Sequence, residues 1–506
     1  MDKVKERDGR IIFYVIVIIT LGIIPYWEVI AKGFYLGEDF NFLLRSIHLP
    51  LLAGFVQNYV PKNDLVRYHP LAEVLWKIQY LIFGMRPALS HLVNVLLNCL
   101  NAILLFWVVL NITGNKQMSF FAGLLFALSP LHAEPASWLC ANNILLSTFF
   151  FLAGLITFEG YLKKGKAVYY GATVLFIILA IASFEASVVL PVVLLFYDFL
   201  WGKNTGLKTR IKTHLPFFIL LVFYFMFRFI MFGGLGDHGI ILHTNKTDFL
   251  KTLFIRNPVN FIYPVDRKIF TSGSLYIFWF SSAALVLLLV IRRNEIWENY
   301  RILLFSLFLM LVTCLPYIGI LEIGKDMWNS RYLYLASGGF CILVSWLLMG
   351  AVNGASVYSP RVIFLTVIIF SLYGFMLYNN NKAWVGASVR MRTVYNDLND
   401  IAVHARRDEA VFIIDPPKFY KGARFSYWGF NSIGQLLSKP GKHVWPIAVT
   451  KKSNRLEFIW SSQGPGESKA AEILADAKTA KALNMNAILV SWDEGKRHLS
   501  VLKNYD

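Results

Sequence analysis

The chain has 506 residues, of which 56% are hydrophobic, 16% aromatic and only 16% charged. A soluble domain usually carries about a quarter charged residues, so an ordinary soluble enzyme is excluded, and so much apolar surface excludes a disordered chain. The formal charge of +18 invites a nucleic-acid reading. Its distribution argues otherwise: Lys and Arg recur in short clusters between apolar runs, as in the cytoplasmic loops of a membrane protein, and no nucleic-acid partner is expected. Cys99, Cys140, Cys314 and Cys341 stand singly, which argues against a disulfide framework or a zinc knuckle.

The first apolar run, Ile11 to Ile30, follows Lys3, Lys5, Arg7 and Arg10. It is too long for a signal h-region and lacks a small-x-small cleavage site, so it reads as an uncleaved span. Further spans are expected at Leu89 to Leu110, Met118 to Leu131, Asn143 to Leu162, Ala167 to Ala182, Ala186 to Trp201 and Leu215 to Phe232. Ser274 to Ile291, Leu303 to Ile320, Gly338 to Gly350 and Val362 to Tyr378 bring the expectation to about eleven, several needing tilt or a thinned bilayer. The loops with Lys163, Lys164 and Lys166, with Lys203, Lys208, Arg210 and Lys212, and with Arg292 and Arg293 share one side, which the positive-inside rule makes cytoplasmic together with the N-terminus. An odd number of spans then puts the C-terminus outside.

Two outer segments are long, Lys32 to Ala88 and Gly233 to Gly273, and loops of this length are usually functional. Within the first, Phe40 to Tyr59 and Leu71 to Phe83 read as interfacial helices on the outer leaflet. From about Asn379 the apolar runs shrink to strand length, as at Val411 to Ile414, Val444 to Val449, Leu456 to Trp460 and Ala487 to Ser491, with a helix expected over Ser468 to Leu483. The expected architecture is therefore a polytopic α-helical membrane protein, 1–379, with a small soluble α/β extracytoplasmic domain, 380–506. That last part holds 19 basic against 12 acidic residues, a surplus that suits acidic glycans or phospholipid heads and equally a solvated surface.

Four acids stand out on one expected membrane face: Glu38 and Asp39, Glu134, and Glu185. Each lies beside a span end among small, aromatic or apolar neighbours rather than lysines. Any one alone could be a polar residue at a helix end, but their convergence favours a site. Arg331, just ahead of the tenth span, offers a fixed fork of donors suited to phosphate. Arg228 and Arg256 are weaker candidates of the same kind, since arginine commonly snorkels to headgroups. His91, Asn94, Asn98 and Asn101 share one helical face, most simply explained by hydrogen bonds between helices. His132, two residues before Glu134, suits a metal or phosphate contact and a structural hydrogen bond about equally. These acids with His132 leave a divalent metal open as a cofactor, although they present no recognisable ligand spacing.

Outward-facing carboxylates, an arginine for phosphate and helices that guide a lipid together suggest transfer of a sugar from a lipid-phosphate carrier. Carrier phosphate is a good leaving group, so the chemistry needs one carboxylate to take the acceptor's proton and one cation to hold the phosphate. One carboxylate base implies single displacement with inversion, unlike the paired carboxyls of a glycosidase. A transporter or flippase is disfavoured because the acids sit in outer loops rather than at the midplane and no repeated half is visible. A noncatalytic membrane assembly protein is the third reading.

An ordered series of fragments resembles the glycosyltransferase C superfamily, nearest to its protein O-mannosyltransferase-like branches, over about the first 380 residues. It comprises Gly37-Glu38-Asp39, Tyr68-His69-Pro70-Leu71, His91 to Asn98, Leu125 to Trp138, Ser183-Phe184-Glu185-Ala186 and Arg331-Tyr332-Leu333-Tyr334. The resemblance implies a polyprenyl- or dolichyl-phosphate-linked sugar donor and an active site facing periplasm or lumen; a protein, glycolipid or polysaccharide acceptor would satisfy the same chemistry, and the sequence does not choose among them. It maps the family's acidic motif onto Glu38 and Asp39, with Asp39 the expected general base and Glu38 its alternate or a ligand. The second outer-loop motif falls on His132 and Glu134, and the arginine-tyrosine motif on Arg331 and Tyr332. Glu185, Arg228 and these residues form the expected substrate-binding set, in what is expected to be a bacterial plasma membrane. Two positions depart from the family: Ala141-Asn142-Asn143-Ile144 stands where many relatives read Gly-Arg-x-Asp, and Phe184 replaces a common lysine. Both changes bear on the donor headgroup or sugar, so mannose is not assigned, and the absence of TPR repeats sets the eukaryotic TPR branch aside.

Overall fold

The computed structural model describes residues 2–56, 68–203, 206–232, 250–268, 274–317, 323–351, 360–404, 409–414, 419–425, 429–438, 444–452, 455–458, 486–493 and 498–505. Much of the outer segment Gly233 to Gly273, the end of the helix expected over Phe40 to Tyr59, and the whole helix expected over Ser468 to Leu483 lie outside the described residues. The chain divides into two compact units, one of residues 1–27, 52–74 and 91–381, the other of residues 28–51, 75–90 and 382–506.

The first unit is helical. Six helices among the described residues are long and apolar enough to cross a membrane: Gly9–Lys32, Pro87–Thr113, Leu139–Lys164, Leu207–Met231, Tyr300–Tyr317 and Ser330–Met349. This is a polytopic membrane protein. The apolar runs at Met118, Ala167 and Ala186 form shorter helices, Lys116–Ala127, Ala167–Ser183 and Leu190–Trp201, and the run at Val362 lies inside one helix, Pro360–His404. The polarity change at Asn379 ends the apolar stretch without ending the helix, because no proline interrupts the chain between Arg361 and His404. Small residues let neighbouring helices approach closely. A Cβ on Gly123 would lie 2.9 Å from Ile18 Cδ1 and 3.0 Å from the Ala102 carbonyl oxygen.

The polar stripe on Pro87–Thr113 is an interhelical hydrogen-bonding device. Asn94 donates to the Trp138 carbonyl at 3.3 Å and Asn98 to that of Ala127 at 3.3 Å. Asn101 donates to the Leu145 carbonyl at 2.9 Å and to the Tyr334 hydroxyl at 3.1 Å. All three side chains are buried, so facing lipid would have left amides unsatisfied where no water can reach them.

The second unit is built on a five-stranded sheet of order β5-β4-β1-β6-β7. Its strands are β1 (Glu409–Ile414), β4 (Val444–Lys452), β5 (Arg455–Phe458), β6 (Asn486–Asp493) and β7 (His498–Tyr505). Central β1 pairs in parallel with both β4 and β6, and antiparallel β5 and β7 close the edges. A two-stranded ribbon of β2 (Phe419–Tyr420) and β3 (Ala423–Arg424) turns through Lys421 and Gly422, both at positive φ, the backbone of a tight hairpin.

One expectation needs correcting. The helix Asp39–His48 does not offer its apolar face to a leaflet: Phe40 and Leu43 are buried in the second unit. There Phe40 stacks on Tyr395 with ring centroids 5.9 Å apart, so protein rather than lipid removes these side chains from water. The helix Pro70–Phe83 differs, leaving Ile78, Leu81 and Ile82 exposed.

Candidate functional site

The first unit's candidate site is built on a segment that folds inward. Residues 128–141 connect two helices by short turns, Pro130–His132, Ala133–Ser137 and Leu139–Ala141, and nearly every one of them is buried. A buried loop exposes carbonyls that must find donors. The hydroxyl of Tyr26 supplies His132 at 3.1 Å, Asn380 supplies Pro130 at 3.1 Å, and Asn94 supplies Trp138.

Glu134, 1% exposed, stands on this loop. Its Oε2 accepts the backbone N–H of Arg331 at 3.1 Å and the hydroxyl of Ser330 at 3.4 Å, while its Oε1 receives Nη1 of the same arginine. Nη2 of Arg331 donates to the Tyr332 hydroxyl at 2.9 Å. The guanidinium also lies 4.3 Å from the Tyr332 ring centroid and 5.3 Å from that of Trp138, so two aromatic faces and one carboxylate enclose it. The turn that delivers it is tight: Met327 and Asn329 both adopt positive φ, 61° and 70°. A methionine there is an uncommon conformation, and such residues concentrate at functional sites.

Glu185 is joined to a residue outside the expected set. His69 Nε2 donates to Glu185 Oε2 across 2.6 Å, and its Nδ1 accepts from Asn143 Nδ2 at 3.2 Å. These bonds fix one tautomer and ring orientation. The ring of Phe184 lies 5.0 Å from His69 and stacks on Tyr317 at 5.6 Å, and Tyr317 meets Tyr332 at 4.7 Å. A continuous path therefore links Glu134, Arg331, Tyr332, Tyr317, Phe184, His69 and Glu185. Asn143 and Phe184 thus both touch His69. Arg228, 2% exposed, donates to the hydroxyl of Tyr224 at 2.9 Å, and Tyr68 packs against Phe227 of the same helix. Arg256 donates to Thr252 on its own helical turn.

His132 is completely buried, with Nδ1 3.1 Å from Asn98 Oδ1 and Nε2 2.8 Å from Ser337 Oγ. The Asn98 oxygen can only accept, so Nδ1–H donates to it, while the Ser337 hydroxyl beside Nε2 directs its own hydrogen to the Tyr334 carbonyl at 2.6 Å. Burial holds its pKa well below the ordinary histidine value. Among the described residues no three His, Cys, Asp or Glu side chains gather closely enough to hold a metal ion.

Glu38 and Asp39 belong to the second unit, where both are buried. Asp39 opens its helix, and its Oδ2 accepts the backbone N–H of Leu36 at 2.8 Å. The loop before it is held by distant sequence: Gly37 N–H donates to the Phe425 carbonyl at 3.0 Å, and Ser432 Oγ to Asn41 Oδ1 at 2.5 Å. Arg392 Nη2 donates to the Gly33 carbonyl at 3.0 Å. Gly429 lies so close that an added Cβ would strike the carbonyl of Gly37. Tyr35 packs beneath the loop, and its phenol is pushed up by burial and by the charge of Asp39. Sequence reasoning missed His69, Tyr317 and the brace formed by Phe425, Gly429 and Ser432. The one signal available was the fragment Tyr68-His69-Pro70, noted for its resemblance alone.

The fold is that of a polytopic membrane protein. The archaeal oligosaccharyltransferase AglB of Archaeoglobus fulgidus, solved with an inhibitory peptide and a dolichol-phosphate, superimposes with a TM-score of 0.50 at 12% identity, covering 96% of this chain and 69% of that one. In sequence the chain is similar to protein O-mannosyl-transferases. It is 22% identical over 373 residues to F38B6.6 of Caenorhabditis elegans, covering 68% of this chain and 52% of that protein. It is 28% identical to human TMTC1 over 113 residues and to mouse TMTC3 over 142 residues, covering 22% and 26% of this chain. The chain thus spans only 12% and 15% of those two relatives. No family model matches it.

Proposed function

We propose that the chain is an integral-membrane glycosyltransferase that moves a sugar from a polyprenyl- or dolichyl-phosphate carrier to an acceptor hydroxyl on the face opposite the cytoplasm. The observation that carries this reading is the buried Glu38-Asp39 turn, a carboxylate pair held in fixed geometry in a chain similar to O-mannosyl-transferases. AglB, solved with a peptide and a dolichol-phosphate, makes a lipid carrier and a protein acceptor the first chemistry to try.

Asp39 is the base in this reading. It takes the proton from the acceptor hydroxyl as that oxygen attacks the anomeric carbon, the bond to the carrier phosphate breaks, and the sugar inverts. Glu38 is its alternate or binds the acceptor. In the first unit, Arg331 and Arg228 supply positive charge for the carrier phosphate. Glu134 and Tyr332 fix the Arg331 fork, His132 secures the loop bearing Glu134, and Glu185 with His69 offers a carboxylate-imidazole pair to sugar hydroxyls. The C-terminal domain, 380–506 by composition, is extracytoplasmic, and its Phe425, Gly429 and Ser432 brace the acidic turn. The host membrane is a bacterial plasma membrane or its lumenal counterpart.

The test is turnover by the purified chain in nanodiscs, given a panel of radiolabelled polyprenyl-phosphate sugars with peptide, glycolipid and glycan acceptors. Label transfer with release of polyprenyl phosphate, abolished in Asp39→Asn at an unchanged melting temperature, supports the assignment. A folded wild type that neither binds nor consumes any carrier overturns it.

A further inference from the structure

The first unit contains a polar concavity away from the Glu134–Arg331 pair. Asn98, which meets His132, and Thr113 share one helix, and at 1.5 Å per residue Thr113 lies about 22 Å further along it. At that end is a cavity of about 350 Å³, in the range of small-ligand sites. The basic-loop pattern puts this end on the cytoplasmic side.

Its wall is built from donors. Arg292, 4% exposed, gives Nη1 to the Trp346 carbonyl and Nη2 to Glu295, and its guanidinium lies 4.2 Å from the Trp346 ring centroid. Among the described residues its Nε has no hydrogen-bond partner, nor has the indole N–H of Trp346, a side chain 3% exposed that also lines the cavity. Buried polar groups are nearly always paired, and leaving one unpaired costs about 1–3 kcal/mol. Guanidinium and indole groups can only donate, so what completes them must be an acceptor. Arg301 adds a second positive charge to the lining and Glu298 one negative, while Glu295 already compensates Arg292. Asn299 precedes the helix Tyr300–Cys314, whose positive end favours anions. Ile302 and Met349 complete an apolar part of the wall, suited to the first carbons of an amphiphile.

We propose that this cavity is a phosphate-binding site, taking the phosphoryl group of an anionic lipid or of a free phosphate ester at the end of the first unit that carries the basic loops. The inference rests on the cavity and its two unpaired donors, and stands whether or not the chain transfers sugar.

The full chain in nanodiscs of phosphatidylcholine, alone or with phosphatidylglycerol or polyprenyl phosphate, is examined by native mass spectrometry after mild delipidation and by tryptophan fluorescence. Wild type is expected to retain an anionic phospholipid adduct. Trp346→Phe, which keeps a ring under Arg292 but removes the N–H, and the surface change Arg301→Gln should each weaken retention about tenfold at an unchanged melting temperature. Loss of the adduct on adding millimolar inorganic phosphate identifies a free phosphate ester as the ligand, and resistance to it identifies the lipid. Equal retention of phosphatidylcholine and phosphatidylglycerol, or folded variants that retain the adduct as wild type does, overturns the site.

Discussion

Glu134 grips Arg331 at two places at once, one oxygen receiving the guanidinium Nη1 and the other the arginine's own backbone N–H at 3.1 Å. The carboxylate thereby fixes both the side chain and the turn that carries it. Both residues are buried, and taking two charges out of water is offset only when geometry and extra hydrogen bonds are good. Removing one partner strands the other. Glu134→Ala is expected to destabilise the protein by about 3–5 kcal/mol, visible as a large fall in melting temperature in detergent. Glu134→Gln, which keeps an acceptor for the backbone N–H, should lose less, and Glu134→Gln combined with Arg331→Met should recover part of the loss. A double variant no more stable than Glu134→Gln would contradict a mutual pair.

Asp39 has a local structural task as well as its proposed chemical one, since its Oδ2 accepts the Leu36 N–H. The two separate by substitution. Asn preserves an acceptor and the shape but is not a base, so Asp39→Asn should keep the melting temperature within about a degree while lowering kcat by roughly 10²–10⁴. Asp39→Ala should also lose about 1 kcal/mol as the turn before the helix loosens. Glu38→Gln, if Glu38 is a ligand rather than the base, should raise KM more than it lowers kcat. Near-normal turnover in a folded Asp39→Asn would move the base elsewhere.

What was legible in the sequence follows the range of the forces involved. His91, Asn94, Asn98 and Asn101 announced a buried face because helical periodicity is local, but their acceptors Trp138, Ala127 and Leu145 lie 29 to 44 residues away. Glu134 and Arg331 each stood out against an apolar background, yet their pairing joins positions 197 apart, and nothing in either neighbourhood names the other. The brace on the acidic turn was least legible. Ser432 and Gly429 are small residues in an unremarkable stretch, and their importance comes only from what folds against them. Asp39–His48 shows the converse: its apolar stripe was real, but a stripe says that something covers it, not whether that is lipid or protein.

His132 predicts a pH dependence of stability. Burial lowers its folded-state pKa well below 6.5, so above the unfolded value both states are neutral and the site contributes its full stability. As pH falls through about 6.5 the unfolded chain takes up a proton that the buried ring refuses, and stability drops by up to about 1.4 kcal/mol per pH unit. The melting temperature of wild type should therefore fall more between pH 7.5 and 5.5 than that of His132→Gln, whose amide can bond Asn98 and Ser337 but cannot titrate. Parallel curves for the two proteins would mean that His132 is not held neutral.

Gly429 offers a test of the brace that touches no candidate catalytic group. An added methyl would meet the Gly37 carbonyl and displace the turn that carries Glu38 and Asp39, while the φ of −109° at Gly429, just ahead of the helix Phe430–Leu437, itself needs no glycine. Gly429→Ala is expected to reduce kcat by about tenfold or more, since a shift of about 1 Å in a catalytic group costs up to 10². Loss of stability should stay in the usual range of about 0.5–3 kcal/mol for a single substitution. Phe425 meets Gly37 through its backbone carbonyl, which the substitution keeps, so Phe425→Leu, a change within buried apolar packing, should leave turnover closer to wild type at a comparable cost in stability. If Gly429→Ala and Phe425→Leu lower turnover equally at matched stability, the C-terminal residues act on the fold at large rather than on the acidic turn.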